Sequence, residues 1–279
     1  MSWQPSAHQR ARARVVRRRK LQQALIATIV TVVVFAAIIT VVALSPGWDA
    51  FKDYFLSWPD ARDVTHSIAV GFWINVRMFL VAEVFILIIA VLVAVVRQSK
   101  SPLLAPARIL AVLYTDLFRG IPTLLVVTVC AVGIPALQLT GFTNSPFWLC
   151  TIALVLCYGA YVAEVMRAGI LSIHPTQIAS ADALALRRSQ TMRHVVLPQA
   201  IRRVIPPLIN DFLSLQKDTS LVSAVGVFEA LRSATDYQGY HFNGTSVFVA
   251  GAFFLIVTIP IARFADWVMV RQIRKEQGR

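Results

Sequence analysis

The sequence predicts an all-α membrane protein with about six transmembrane helices, and three observations carry that prediction. Of its 279 residues, 57% are hydrophobic and only 15% charged, with a mean hydropathy of +0.66, whereas a soluble domain is about 25% charged. Several apolar runs approach or exceed the roughly 20 residues that a helix needs to cross a bilayer. The formal net charge of +13 is laid out as a topology, in basic segments separated by acidic or uncharged ones.

The elements follow in chain order. Residues 1–20 form a basic arm containing Arg10, Arg12, Arg14, Arg17, Arg18, Arg19 and Lys20, which by the positive-inside rule places the N-terminus in the cytoplasm. A first helix is expected over 21–44. Its apolar part is longer than the roughly 7–15 residues of a cleavable signal and no small-residue cleavage site follows, so it reads as a retained span. The outer segment that follows, within 21–67, carries Asp49, Asp53, Asp60 and Asp63 against Lys52 and Arg62. A second helix over 68–97 leads to an inner turn with Arg97, Lys100 and Arg108. Helices over 119–138 and 146–166 flank an uncharged outer segment around Gly141. Residues 167–198 form a basic inner loop, followed by helices over 199–217 and 245–268. Arg271, Arg274, Lys275 and Arg279 make a basic tail, 271–279, on the cytoplasmic side. The fifth helix is the most polar, with Arg202, Arg203, Asp211 and Lys217, and Pro206 with Pro207 should bend or divide it.

Composition also excludes several function classes. Basic residues interleaved with exposed aromatics would suggest nucleic acid, but the N-terminal arm has only Trp3; no nucleic-acid partner is expected, and membrane lipid is. Cys130, Cys150 and Cys157 lie in apolar runs without metal-ligand spacing and read as packing residues. The sequence contains no paired catalytic carboxylates, no nucleophile elbow and no phosphate-binding loop. The chain is therefore expected to be no enzyme and to bind no cofactor or metal, and any ATP use belongs to another chain. No sequence repeat joins the two halves, against an inverted-repeat transporter.

The inner loop is patterned as a helix. Ala179, Ala181, Ala183 and Ala185 favour helix, and Thr176 can cap its start. Short side chains let such a helix sink into a groove of another protein, while Arg187, Arg188 and Arg193 meet an acidic rim. The same composition also fits a surface helix resting on lipid headgroups.

Four ordered stretches resemble the permease subunits of ABC importers, in their polar amino-acid (His/Gln/Glu/Arg-type) uptake branch. "TQIASADALA" at 176–185, followed nine residues later by "VVLPQA" at 195–200, resembles that branch's cytoplasmic EAA loop. "LFRGIPTLLV" at 117–126, "YVAEVMRAGILSI" at 161–173 and "PPLINDFLSLQKDTSLVS" at 206–223 resemble three further motifs. The loop departs from the pattern twice: Ala179 stands where the branch has glutamate, and Ala185 where it has a turn-forming glycine. The resemblance implies a five-helix type I importer permease core over 68–270, including a coupling loop at 172–195, with the first helix as an addition. It also implies partners: a cytoplasmic ATPase dimer holding ATP and Mg, a second permease subunit and an extracytoplasmic amino-acid-binding protein. The missing glutamate favours a heterodimer, whose other permease keeps that acid. The alternative function is an ion-coupled secondary transporter or channel.

The candidate residues fall into three sets. The coupling loop supplies Thr176, Gln177, Ala179, Ala181, Ala185, Leu197 and Pro198. On the fifth helix, Asn210, Ser214 and Lys217 are spaced i, i+4, i+7, with Asp218 one position along, and draw a polar stripe. Such groups in a span line a cavity or pair with each other, so the stripe is either a substrate pathway or inter-helix glue. Glu164 and Arg167 are spaced to pair. Arg119 fits either a substrate carboxylate or an interfacial anchor. Arg77 and Glu83, six apart, do not share a face.

Overall fold

The computed structural model describes residues 6–99 and 101–276; Trp3, Lys100 and Arg279, and the side chains of Arg10, Arg14, Arg17, Arg274 and Lys275, lie outside the described residues. The chain divides into two compact units at Leu56 and Ser57.

The first unit holds α1 (Ala7–Ala43) and α2 (Trp48–Phe55). The apolar part of α1 is exposed along its whole length, as expected of a helix whose solvent is lipid. Helix α2 is amphipathic: Trp48 stacks on Phe51 at 5.8 Å, and Phe51 meets Phe55 at 4.9 Å. Asp49 and Lys52 pair at 2.8 Å between those aromatics in sequence.

The second unit is built on two long helices, α3 (Trp58–Gln98) and α7 (Pro146–Leu171). Helix α3 has 41 residues, roughly 60 Å of helix, so its polar first turns extend beyond a hydrocarbon core about 30 Å thick. It starts at Trp58 rather than at 68 because Pro59 suits a first helical turn. Met78, Ala82, Ile86, Ala90 and Ala94 recur every four residues on its buried face. All but Ala94 share one core with Cys150, Ala153, Leu154, Cys157 and Ala163 of α7, where small side chains permit the close approach that packs helices in a membrane. Cys130, Cys150 and Cys157 are buried free thiols within this core.

The segment drawn from sequence as one helix over 119–138 is not one helix. Helix α4 (Ala105–Gly120) ends at Ile121, which is extended (φ −100°, ψ 134°), because Pro122 excludes the helical conformation at the residue before it. The chain resumes as α5 (Thr123–Thr128), passes a π-turn at Val129–Gly133 and ends in α6 (Ile134–Ala136), bent by 105° from α4.

After α7 come α8 (Pro175–Ala183), α9 (Arg188–Thr191), α10 (Leu197–Asp218), α11 (Ala230–His241) and α12 (Thr245–Glu276). A π-turn at Met192–Val196 joins α9 to α10; Pro198 offers no N–H to the carbonyl of His194, and the looser turn passes that break. Pro206 and Pro207 lie inside α10 without dividing it, leaving the carbonyls of Arg202 and Arg203 without helical donors at an exposed part of the helix. Among the described residues, α1, α3, α7 and α12 are each long and apolar enough to cross a membrane, and α4 with α5–α6 makes a broken fifth candidate. Helix α10, drawn as a span from sequence, is too polar to join that set.

Helix α11 has no counterpart in the predicted elements. Glu229, fully buried, caps it by accepting from the N–H groups of Leu231 (2.9 Å) and Arg232 (2.8 Å). Asn75 of α3 donates to Glu229 (3.0 Å) and Thr219 (3.2 Å), and its oxygen accepts from the Ala230 N–H at 3.1 Å. One turn earlier, Gly71 lets this backbone sit directly on α3: a Cβ there would lie 2.6 Å from the Glu229 carbonyl carbon.

Candidate functional site

Three groups of residues carry the candidate chemistry: a loop, a charged cluster and a polar helix face. The loop is α8, α9 and the connection between them. His174, not Thr176, caps α8, its Nδ1 accepting from the Thr176 N–H at 3.3 Å and meeting the Thr176 hydroxyl at 2.8 Å. Pro175 takes the first helical position, which moves the cap forward of Thr176.

Helix α8 stops in a Schellman motif: the Leu186 N–H donates to the Ala181 carbonyl at 3.1 Å and the Ala185 N–H to the Asp182 carbonyl at 2.9 Å. The motif needs a left-handed residue, and Ala185 provides it with φ +57°. The position at which the resembling family has glycine is thus one that demands glycine's conformation, and alanine occupies it under strain.

Thr176, Gln177, Ala179 and Ala185 are exposed, as are Leu197 and Pro198 at the head of α10. Ala181 is not: it is 3% exposed. Of the loop residues drawn from sequence, Ala181 is therefore the one that does not present its side chain at the surface. Positions 179 and 181 stand about 200° apart around a helix.

The charged cluster gathers on Glu164 near the end of α7. Arg167 binds both its carboxylate oxygens, with Nε at 3.0 Å from each. Arg97 at the end of α3 donates to it at 2.7 Å and to Thr115 of α4 at 3.0 Å. Arg119, which sequence left between substrate ligand and interfacial anchor, stands 3.9 Å from the same carboxylate. The predicted Glu164–Arg167 pair is present, but within a set of three arginines drawn from three helices.

The polar stripe of α10 splits between two faces. Asn210 and Lys217 are exposed and Ser214 half-buried. Asp218 turns inward and accepts from the Tyr158 hydroxyl at 2.8 Å. Asp211 also turns inward; one of its carboxylate oxygens is buried with no hydrogen-bond partner, and Glu83 of α3 is close enough for the two charges to interact. Sequence spacing left Glu83 unexplained and could not join it to Asp211, 128 positions away. Arg77 lies over the Phe147 ring, 5.5 Å from its centroid. No cluster of metal-ligating side chains occurs among the described residues.

Comparison with known proteins gives one consistent result. Residues 86–274 match the family described as binding-protein-dependent transport system inner membrane component. The probable glutamine ABC transporter permease protein of Bacillus subtilis is 33% identical over 195 residues, 69% of this chain and 87% of that protein. The L-cystine transport system permease protein of the same organism is 32% identical over 227 residues, covering 81% and 91%. In structure, the chain is similar to an amino acid ABC transporter solved with histidines, with TM-score 0.71 and 24% identity over 77% of this chain and 98% of that one. It is also similar to the MetNI methionine ABC transporter, with TM-score 0.61 and 19% identity.

Proposed function

Because the chain belongs to the binding-protein-dependent transport system inner membrane component family, we propose that it is the permease subunit of an ATP-driven importer of amino acids, embedded in the plasma membrane as a multi-pass protein. The observation that carries the reading is the match over residues 86–274, supported by relatives whose names are those of glutamine, arginine and L-cystine permeases. The ion-coupled alternative has no comparable support.

The mechanism follows from what the side chains can reach. The exposed face of α8, with Thr176, Gln177 and Ala179, enters a groove of a cytoplasmic ATPase subunit that holds ATP and Mg. A rigid connection carries the ATPase motion: α9 runs through a π-turn into α10, and Arg203 of α10 donates to the Ser172 carbonyl at the other end of the loop. Movement of the loop therefore moves α10, whose two packings open the route to one side or the other. Asn210, Ser214 and Lys217 face that route, with Asp218 behind them, and a second permease subunit covers the exposed stripe. Since Ala179 lacks the family's acid, that second subunit is a different chain. An extracytoplasmic binding protein delivers the amino acid to the face opposite the loop, and both termini lie on the loop's side. The Glu164 cluster ties α3, α4 and α7 together at the loop's base.

Purification of the chain with the products of neighbouring genes tests this. An ATPase subunit should co-purify, and ATP hydrolysis in liposomes should rise when the binding protein and its amino acid are added. Ala179→Trp, on the exposed face, should release the ATPase without loss of the permease from the membrane. Transport by this chain alone, driven by an ion gradient, would overturn the proposal.

A further inference from the structure

A cleft of about 460 Å³ opens beside the Glu164 cluster, lined by Arg97, Arg108 and Arg167 and by the apolar Ile109, Val112 and Leu113, which share α4 with Arg108. Its charge does not balance. Arg97, Arg119 and Arg167 share the single carboxylate of Glu164, and among the described residues Arg108 donates to a neutral acceptor alone, the Ser99 carbonyl, at 2.6 Å. Four guanidinium groups thus stand against one acid, while Asp116 of α4 is exposed and pairs with none of them among the described residues. Arg97 is the most enclosed of the three arginines on Glu164, its side chain 13% exposed.

Partly desolvated cations without counter-charge call for an anion, and guanidinium groups with donors to spare suit phosphate oxygens. The apolar part of the lining decides what kind of anion. Ile109, Leu110, Leu113 and Leu117 are exposed along one side of α4, at i, i+1, i+4 and i+8. Together they form an apolar strip continuous with the arginines. A free inorganic anion would use the charge and leave that strip unmatched.

We propose that this cleft is a binding site for an anionic glycerophospholipid of the inner leaflet, with its phosphate on Arg97, Arg108 and Arg167 and an acyl chain along α4. Basic pockets between helices at the cytoplasmic boundary bind such headgroups. The site sits where α3, α4 and α7 converge, immediately before the loop, so lipid occupancy reinforces the frame against which the loop moves. The leaflet assignment rests on the topology proposed above, with the loop inside.

The test uses the assembled complex in a neutral detergent, offered phosphatidylglycerol or phosphatidylcholine of identical acyl chains, with retention read by native mass spectrometry. Phosphatidylglycerol should be retained in clear excess, and Arg108→Gln should lower its retention about fivefold, the loss expected for one basic residue at a lipid phosphate. Arg108→Lys should restore most of it in a complex of unchanged elution volume. Arg202→Gln, which removes an exposed basic residue of α10 outside this cleft, should leave retention as it was. Equal retention of the two lipids, or equal losses in Arg108→Gln and Arg202→Gln, would overturn the proposal. Displacement of the lipid by glycerol phosphate at equal concentration would overturn it too, as a small-anion site. Detergent binding does not depend on orientation, whereas external labelling of Ser189→Cys in intact cells would refute the topology alone.

Discussion

Replacing Ala185 by glycine should stabilise the loop, against the usual expectation that glycine loosens a chain. Ala185 holds φ +57° as the left-handed residue of the Schellman motif that ends α8. A left-handed conformation costs an L-residue about 1–2 kcal/mol, all of which glycine avoids. Glycine in turn adds unfolded-state freedom worth about 0.5–1 kcal/mol. The balance favours Ala185→Gly by about 0–1.5 kcal/mol, and the midpoints of the two ranges correspond to roughly a three- to fourfold shift in the local opening equilibrium. The two hydrogen bonds that close the motif, from the N–H groups of Ala185 and Leu186, report that opening directly. Hydrogen–deuterium exchange over residues 180–187 should therefore slow by that factor in Ala185→Gly, with exchange in α3 and α7 unchanged. Ala185→Val, with a branched Cβ in the same conformation, should speed it. Faster exchange in the glycine variant would mean that Ala185 is not left-handed in the protein, and the account of the loop's turn would fall with it.

Three further outcomes follow from the packing. Gly71→Ala should lower thermal stability by about 1–3 kcal/mol, the range for overpacking, because its Cβ meets the Glu229 and Ala230 backbone at 2.6–2.8 Å; an unchanged melting temperature would contradict the contact. Glu164→Gln should cost about 1–3 kcal/mol, less than the roughly 3–5 of a fully buried broken pair because these groups keep some solvent, whereas Asp49→Asn, at an exposed pair, should leave the melting temperature unmoved. Asn210→Leu should raise the half-saturating substrate concentration about two- to tenfold through a lost hydrogen bond of about 0.5–1.5 kcal/mol, with membrane abundance unchanged; reduced abundance instead would identify Asn210 as inter-helix glue.

What the sequence made legible was decided by the range of the signal. Long apolar runs set α3, α7 and α12, because insertion into lipid depends on summed hydropathy rather than on neighbours. The Glu164–Arg167 pair was visible because three positions is one helical turn, but Arg97 reaches the same carboxylate from 67 positions earlier, and no local pattern encodes that. Helix α4 was hidden because Asp116 and Arg119 interrupt its apolar residues and Pro122 follows close behind, so the hydropathy maximum slid past the break. Helix α11 was hidden because "ALRSATDYQGYH" has no apolar run; its position depends on Gly71 and Asn75 of a distant helix. The burial of Ala181 was not legible because alanine's burial cannot be read from hydropathy when every second residue is alanine.

The distribution of satisfied and unsatisfied polar groups carries the assembly argument further than any motif does. Around α7 the chain answers its own charges: Glu164 is met by arginines from three helices, and Tyr158 meets Asp218. On α10 it does not. Asn210 and Lys217 are exposed, and Lys217 forms no ion pair among the described residues. Leaving an ionisable group against lipid costs at least about 2.5–3.5 kcal/mol on insertion scales, so a helix displaying Lys217 is not a lipid-facing helix. Its low hydropathy, which keeps α10 out of the set of candidate spans, and its exposed polar face have one cause: this surface was selected to meet something polar. The second permease subunit and water-filled route proposed above would supply that environment, and the polarity that keeps α10 out of the set of candidate spans is what such a route would require.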